Sequence, residues 1–449
     1  MDMKELAALL RQSGVVGAGG AGFPTYAKLD ARAQTVILNC AECEPLLKLH
    51  RQLLERHADE IVAAFHLIKE TLGAKEAIIG IKKEYKKTIA ALEGVVPRYE
   101  GVRLGPLDEV YPAGDEVVLI YELTGKVVRP GGLPIECGVC VFNVETCYNL
   151  ARALNRHEPV VDKLVSVVAE VNHPVTLRMP IGATMEDAVR LAGGAKIKDP
   201  VYFVGGVMMG KILPPTAPIT KTTNAIIVLP KNHYLVERKR ARTDTMLKRA
   251  AASCCQCTMC TDLCPRYLLG HPIQPHLFMR AATCKDVQDP DIFVNTLFCS
   301  SCGLCELYSC FQGLSPRSLI TEYKNGLRAA GVKPPKVEAA PVEAARKLRK
   351  APVKRLMARL GISEYDVPAP LQDDCVSVKT VRILLRQHIG APAVACVKAG
   401  DVVRRGQCIA QPAEGLSVAI HASVSGRVRE VTACCVTARK NPVGGKTQA

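Results

Sequence analysis

Tryptophan is absent, and all aromatic residues together make up 4% of the 449 positions. No apolar run approaches the roughly 18 residues that a bilayer-crossing helix needs, so no direct membrane span is expected. The opening residues Met1 to Glu5 lack the basic-then-apolar layout of a secretory signal, which leads to the expectation of a cytoplasmic protein. Acidic side chains are the minority charge, 43 against 59 Lys and Arg, for a net charge of +16. Such an excess suits a nucleic acid as partner, but aromatics to stack on bases are few and no nucleic-acid module is recognisable, so no nucleic acid is expected. The positive charge gathers in two stretches, Lys231 to Arg249 and Lys333 to Arg355, both at apparent domain joints. Solvated linker charge is the plain reading, and docking to an acidic partner is the alternative.

What the chain has in abundance is cysteine, with 20 residues. In a reducing compartment so many thiols point to metal or redox chemistry rather than disulfides. The run Cys254-x2-Cys257-x2-Cys260-x3-Cys264-Pro265 has the spacing with which bacterial ferredoxins hold a [4Fe–4S] cluster. Three closely spaced thiolates wrap one corner of a cube, and the fourth ligates the neighbouring cluster. A second run, Cys299-x2-Cys302-x2-Cys305-x4-Cys310, nearly repeats it, with a longer last gap and Phe311 in place of the proline. By the crossed rule one cluster takes Cys254, Cys257, Cys260 and Cys310, and the other takes Cys299, Cys302, Cys305 and Cys264. Zinc is the competing reading, yet it normally needs two separated pairs rather than triplets. Cys255 is spare in this scheme. The pairs Cys40-x2-Cys43 and Cys137-x2-Cys140 could join into a zinc site by spacing alone. Cys147, Cys284, Cys375, Cys396 and Cys408 read as buried small residues. His50, His57 and His66 lie at helical spacings without further ligands.

The hydrophobic share of 48% is ample for about three domains of roughly 150 residues each. Met3 to Gln12 is expected to be a helix, as are Leu53 to Leu72, closed by Gly73, and Met185 to Leu191. Thr35 to Leu38 and Ala77 to Ile81 read as buried strands, and the apolar runs Val117 to Tyr121 and Val139 to Val144 continue the alternation of a layered α/β unit. Strands are expected near Leu164 to Val171, Val175 to Met179, Val201 to Val204 and Ala225 to Leu229. Short helices carry the cysteine-rich part, and short β segments fill Val376 to Val431. The fold class is therefore multidomain, α/β and α+β. The N-terminal helix reads as a packing element, with targeting to a protein shell as the alternative.

Between the first helix and the first strand, Gly17-Ala18-Gly19-Gly20-Ala21-Gly22 satisfies G-x-G-x-x-G. It follows a helix rather than the strand that a dinucleotide fingerprint requires, so alone it is weak. Together with Asn39 to Pro45 (NCAECEP), Tyr111 to Glu116 (YPAGDE) and Asn143 to Thr146 (NVET), it resembles four blocks of the flavin- and NADH-binding subunit of respiratory NADH:quinone oxidoreductase. The blocks are closer still to the RnfC subunits of Rnf electron-transport complexes. The resemblance implies FMN with NADH laid over its ring, followed by a soluble-ligand-binding β-grasp unit. It places Gly17, Gly19, Gly20, Lys28 and Thr146 at the phosphates, and Asn39, Glu42, Gly114, Asp115 and Asn143 at the isoalloxazine and ribityl groups. Phe23, Glu44 and Glu116 would face the nicotinamide nucleotide. Ala41 stands where the respiratory subunit has an aspartate, and Asp115 where it has a glutamate.

The tail, with Gln387 to Pro392 (QHIGAP), Gly406-Gln407 and His421 to Gly426 (HASVSG), is similar to the barrel-sandwich module that RnfC carries at its beginning. Its late position resembles the PduS-type cobalamin reductases of propanediol-utilisation microcompartments. Glu414 to Val418 offers no lysine for a lipoyl or biotinyl group, so a structural or docking role is expected. The resulting domains are 1–160, FMN and NADH binding; 161–235, β-grasp; 236–330, two [4Fe–4S] clusters in a ferredoxin-like module; 331–370, basic linker; and 371–440, barrel-sandwich. The resemblance implies an NADH-dependent oxidoreductase that passes electrons through FMN and two [4Fe–4S] clusters to cobalamin, from cob(III)alamin toward cob(I)alamin. Its expected partners are cobalamin or a cobalamin-carrying adenosyltransferase and a microcompartment shell protein. An RnfC-like subunit exchanging electrons between NADH and ferredoxin, and a non-catalytic relay or shell-docking protein, are the alternatives. No catalytic acid or base is assigned.

Overall fold

A computed structural model describes residues 1–284 and 289–440. The first helix, α1 (Met3–Gln12), is capped by Asp2 and Glu5, each side chain accepting from the other's backbone N–H. It buries Leu6 and Leu10. Strands β1 (Thr35–Cys40), β2 (Glu76–Lys82), β3 (Val102–Leu107) and β5 (Val139–Asn143) form a parallel sheet in the order β3-β2-β1-β5. The long helix α2 (Leu49–Leu72), ended by left-handed Gly73, makes the first crossover. Helix α3 (Lys86–Glu93) and the two-residue strand β4 (Val110–Tyr111) precede α4 (Glu116–Thr124), and α5 (Val144–Arg156) follows β5. Alternation along β1 sends Val36 and Leu38 into the core shared with α2 and α5, and Ile37 into the core shared with α4.

The run Val117 to Tyr121 differs from the strand-like alternation expected of it: it lies within α4. Its valines and isoleucine suit a strand, but Asp115 accepts from the N–H groups of Val117 and Val118, and Gly125 closes the helix at φ +71°. Caps outweigh propensity in this short segment.

The second unit is a six-stranded sheet. Strands β6 (Asp162–Ala169), β7 (Val175–Pro180), β8 (Pro200–Val204), β9 (Lys211–Leu213) and β10 (Ala225–Pro230) surround α6 (Met185–Leu191). With β12 (Leu371–Cys375) added at the edge, the order is β12-β7-β6-β10-β8-β9. The cysteine-rich part is helical: α7 (Tyr234–Arg240), α8 (Thr243–Ser253), α9 (Met259–Asp262), α10 (Pro275–Thr283), α11 (Asp291–Val294) and α12 (Pro316–Ala329). At the end, β13 (Thr380–Leu384), β14 (Val394–Ala395), β15 (Val402–Val403), β16 (Cys408–Gln411), β17 (Ile420–His421), β18 (Gly426–Val431) and β19 (Cys435–Lys440) make two small facing sheets.

Part of the basic segment between them is a strap against other units: Arg346, Arg349 and Lys350 are paired, while Lys333, Lys336, Lys347, Lys354 and Arg355 stay exposed, as solvated linker charge would be. Its strand β11 (Ala351–Pro352) pairs antiparallel with β4, and α13 (Val353–Leu360) follows. Arg346 bonds Glu122 at 2.6 Å and lies over the Tyr121 ring; Lys350 reaches Asp108 and Glu122, and Arg349 reaches Asp262. In the earlier basic stretch Arg238 is buried, donating to the carbonyls of Gly313 and Leu314. Tertiary carboxylates and carbonyls far away in sequence claim these cations. No helix among the described residues is long and apolar enough to cross a membrane.

Candidate functional site

At the C-terminal ends of β1 and β5 a cavity of about 360 Å³ opens between the first unit, the β-grasp unit and the cysteine module. This is the switch-point position where open parallel sheets take ligands, and its volume lies in the range of small-molecule sites. Every flavin or nucleotide candidate from the sequence lines it except Phe23. Phe23 lines an adjoining apolar cavity of about 170 Å³ that shares Lys28, Glu116 and Val141 with the first.

The glycine loop is pinched at its neck by the Gly17 N–H donating to the Phe23 carbonyl at 2.9 Å. Thr146, in the first turn of α5, ties it to the sheet: its hydroxyl accepts from the Ala18 N–H at 3.0 Å and donates to the Val16 carbonyl at 3.1 Å. A Cβ at Gly19 would crowd Asn143 Nδ2 at 3.1 Å, so glycine leaves that amide its place. Asn143 caps α5 through Oδ1, and Asn39 donates to the Gly114 carbonyl at 2.9 Å. Lys28 donates to Glu116 at 3.2 Å and to the Val141 carbonyl at 3.1 Å.

The acidic candidates are engaged by the scaffold. Glu42, at φ +33°, accepts from the N–H groups of His50 and Arg51 at the start of α2. Glu44 points its carboxylate at the β8–β9 loop, accepting from Met208 and Met209 N–H at 3.0 Å each. Burial raises the Glu44 pKa, opposed by those two N–H groups and by Lys239 and Arg317. Gly206 makes room for this carboxylate, since a Cβ there would sit 2.0 Å from it. Asp115 caps α4 and pairs with Arg266 of the cysteine module at 2.9 Å, both side chains 13% exposed.

His50, Tyr111, Met209, Asn224 and Cys302 also line the cavity, and the sequence did not single out the first four as site residues. Burial lowers the pKa of His50, against the pull of Glu42. Tyr111 donates to the Cys302 carbonyl at 2.6 Å. Asn224 comes from the β-grasp unit, and its buried Oδ1 has no partner within the protein. Only a helical spacing marked His50, and nothing local marked Asn224.

The cysteines form two quartets in the crossed pattern. Cys254, Cys257, Cys260 and Cys310 line one small cavity with Cys255, His276 and Phe311. Cys264, Cys299, Cys302 and Cys305 lie within electrostatic reach of one another, and Cys260 of the other quartet also acts on Cys305. Burial pushes the Cys264 thiol up to about 11 and Cys260 up to about 12, so metal must displace protons to bind. Among the described residues no group of three or more His, Cys, Asp or Glu closes around a single ion. The Cys40, Cys43, Cys137 and Cys140 pairs do not join: Cys43 accepts from the Gly114 N–H, while Cys137 and Cys140 donate to the Val127 and Lys28 carbonyls. Of the cysteines expected to be buried, Cys147 is; Cys284 and Cys396 are exposed, and Cys375 and Cys408 are half-buried. Cys284 and Cys396 lie outside regular elements, Cys375 ends the edge strand β12 and Cys408 opens β16, positions where spacing carries no burial signal.

These residues fit the groups that the sequence suggests. The glycine cradle that a Cβ would fill and the unpartnered Asn224 oxygen suit a flat, hydrogen-bonding ring with a phosphate tail. Two sets of four thiols suit two iron–sulfur cubes.

Comparison with known proteins agrees. Residues 10–152 match the Nuo51 FMN-binding domain, 253–315 a 4Fe-4S dicluster domain, and 372–444 the RnfC barrel sandwich hybrid domain. The chain is 42% identical over 439 residues to "Cobalamin reductase PduS" of Salmonella typhimurium, covering 97% of each chain, and 41% identical to that of Citrobacter freundii, covering 97% of this chain and 96% of that one. A component of the ion-translocating oxidoreductase complex of Yersinia pseudotuberculosis is 31% identical over 297 residues, 65% of this chain and 41% of that one. Among solved structures, an air-oxidized NAD+-reducing [NiFe]-hydrogenase shares the fold at TM-score 0.51 and 20% identity, covering 82% of this chain and 68% of that one. With a flavin-binding unit, a dicluster module and near full-length identity of this order, the chain belongs to the PduS cobalamin reductase family of oxidoreductases, within the wider group that holds the RnfC subunits.

Proposed function

We propose that the protein is an NADH-dependent flavin and iron–sulfur reductase that delivers single electrons to cobalamin, in the setting of a propanediol-utilisation microcompartment. The observation that carries this reading is Cys302: one cysteine of the buried quartet lines the same cavity as the flavin candidates. FMN, when bound, converts between hydride and one-electron chemistry, and two [4Fe–4S] clusters carry single electrons onward.

The chain supplies geometry. Gly17, Gly19 and Gly20 let backbone approach the phosphates, with Lys28 and Thr146 beside them, while Asn39, Gly114, Asn143 and Asn224 orient the ring. Glu42 and Asp115 fix the helix starts that carry this wall, and the Asp115–Arg266 pair fixes the cysteine module against it. Glu44, Glu116 and Phe23 border the space left for the nicotinamide nucleotide. Tyr111 ties the cavity wall to the backbone of Cys302. The other quartet reaches the surface, where Cys257 and Phe311 are exposed; an acceptor such as cobalamin, free or on an adenosyltransferase, meets the chain there.

Anaerobic reconstitution followed by iron, sulfide and flavin counting tests the cofactors, with about eight irons and one FMN per chain expected. NADH oxidation with cob(III)alamin and with ferredoxin offered separately tests the acceptor. Faster turnover with ferredoxin, together with recovery of membrane partners in a pull-down, would instead favour the RnfC-like role that the Yersinia relative suggests. Clusters without flavin would reduce the protein to a relay. Association with shell protein is tested by co-purification of the full chain with intact microcompartments.

A further inference from the structure

Away from the redox site, the outer face of the sheet β13-β19-β18-β15 forms one wall of a groove of about 1260 Å³, and the β-grasp unit around Thr184, Arg190 and Thr216 forms the other. Period-two alternation along the strands decides what faces it. Val381, Ile383, Val428, Val436 and Ala438 turn inward and are buried. Arg382, Arg427, Arg429 and Arg439 turn outward and are exposed, joined by Lys379 and Lys440.

Arg427 and Arg439 are direct register partners on neighbouring strands. Like charges opposite one another destabilise a sheet, yet here no carboxylate intervenes. Asp187 is the one acid in the lining, and Arg190 takes it at 2.9 Å. Among the described residues, three of the remaining cations bond neutral acceptors: Arg427 the Gly400 carbonyl at 2.8 Å, Arg382 the Thr216 carbonyl at 3.4 Å, and Lys440 the Ser377 hydroxyl at 2.7 Å. Residues 441–449 contain no Asp or Glu, so that stretch brings no side-chain carboxylate to the groove.

We propose that this groove docks an acidic polypeptide segment of a partner protein, whose carboxylates face the Arg427–Arg439 ladder. Guanidinium groups on adjacent strands offer the paired N–H donors that carboxylates accept. The lining includes no aromatic side chain on which a base could stack, which disfavours single-stranded nucleic acid. The cations span three strands, more than one small anion touches. The groove shares no residue with the flavin cavity or the cysteine quartets, so docking here tethers a partner without blocking the redox path.

The test uses the full-length, anaerobically reconstituted protein and a fluorescein-labelled oligoglutamate peptide, read by anisotropy. Binding that weakens about tenfold or more on raising salt from 50 to 200 mM is expected, because exposed charges are screened. Arg427→Glu with Arg439→Glu should weaken it at least about tenfold, while Lys248→Glu with Arg249→Glu on α8 should change it less than about twofold. Equal losses in both double variants would mean bulk charge alone, and would overturn the proposal, as would no binding at all. Displacement of the peptide by tripolyphosphate or oligothymidylate at one tenth of the peptide concentration would also overturn it, by making the groove a small-anion or nucleic-acid site. As a measure independent of binding, Arg439→Gln should leave the thermal midpoint unchanged or raise it by relieving the Arg427 repulsion. A lowered midpoint would mean that the arginines hold the fold, contrary to the proposal.

Discussion

The two cysteine quartets are near copies in sequence and opposites in setting. Cys264, Cys302 and Cys305 are buried and Cys299 is half-buried, behind the flavin cavity and roofed by Tyr111 and the Asp115–Arg266 pair. In the other quartet Cys257 is exposed and Cys254, Cys260 and Cys310 are only half-buried, with Phe311 61% exposed beside them. Spacing determines what a motif can bind, but burial determines where in a path it serves. The shielded quartet adjoins the cavity through Cys302, and the open one faces the solvent side.

Breaking each quartet in turn gives the largest expected effects. Cys302→Ala should lower acceptor reduction by at least about a hundredfold, some 2.7 kcal/mol. Cys257→Ala should do the same to acceptor reduction while leaving flavin reduction by NADH within about twofold, as read by flavin bleaching under anaerobic conditions. A chelator applied in air should strip the open quartet first, so that iron falls to about half before flavin signal changes. Simultaneous loss from both quartets would erase the distinction between them.

A knot of charge joins the units that hold both quartets in place, and its loss should come next in size. Burial would raise the pKa of Asp162, yet Arg152, Arg178 and Arg405 hold it well below the usual carboxylate range. A carboxyl with a depressed folded-state pKa contributes stability that is present above the unfolded value near ~3.9 and lost as pH falls below it. Asp162→Asn should cost about 3 kcal/mol at neutral pH, because it removes the buried carboxylate that three guanidinium groups share, leaving Arg152 only Glu158 and Arg178 only Asp373. The difference from the parent, measured by denaturant unfolding, should hold down to about pH 4 and shrink only below it.

Arg266→Met probes the shielded quartet alone. Removing the guanidinium leaves Asp115 unpaired at 13% exposure and should lower stability by about 2 kcal/mol, together with slower electron delivery from flavin to the buried cluster in stopped-flow traces. The smallest effect belongs to Cys255→Ser beside the open quartet: iron content unchanged and stability within about 0.5 kcal/mol. A loss of iron there would put Cys255 among the ligands.

Much of this arrangement was legible in the sequence where the signal is local. The bounds of α1 follow from its apolar spacing and Gly14, α2 ends where Gly73 takes a left-handed conformation, and the cysteine triplets declare their chemistry by spacing alone. What escaped was non-local. The strap from 331 to 370 has linker composition because its partners Glu122, Asp108 and Asp262 lie more than 80 positions away. Asn224 carries no motif, and its place in the cavity depends on how the β-grasp unit docks. Val117 to Tyr121 was too short for periodicity to separate helix from strand. The cationic groove was hidden because alternate strand positions, rather than a run, supply its arginines.

One contact described by neither motif nor cavity bears on the order of the units. The hairpin around Ala419 lies against the start of the chain: its N–H donates to the Arg11 carbonyl at 3.1 Å, Arg11 donates back to the Ala413 carbonyl at 2.9 Å, and the buried Lys221 bridges Gly14 and Ala419. A β unit that follows the others in sequence is thus a spatial neighbour of the helix α1 that precedes them. Moving its coding segment from one end of a gene to the other would preserve these contacts and demand only a rerouted connection, so shuffled arrangements of the same parts can build one architecture.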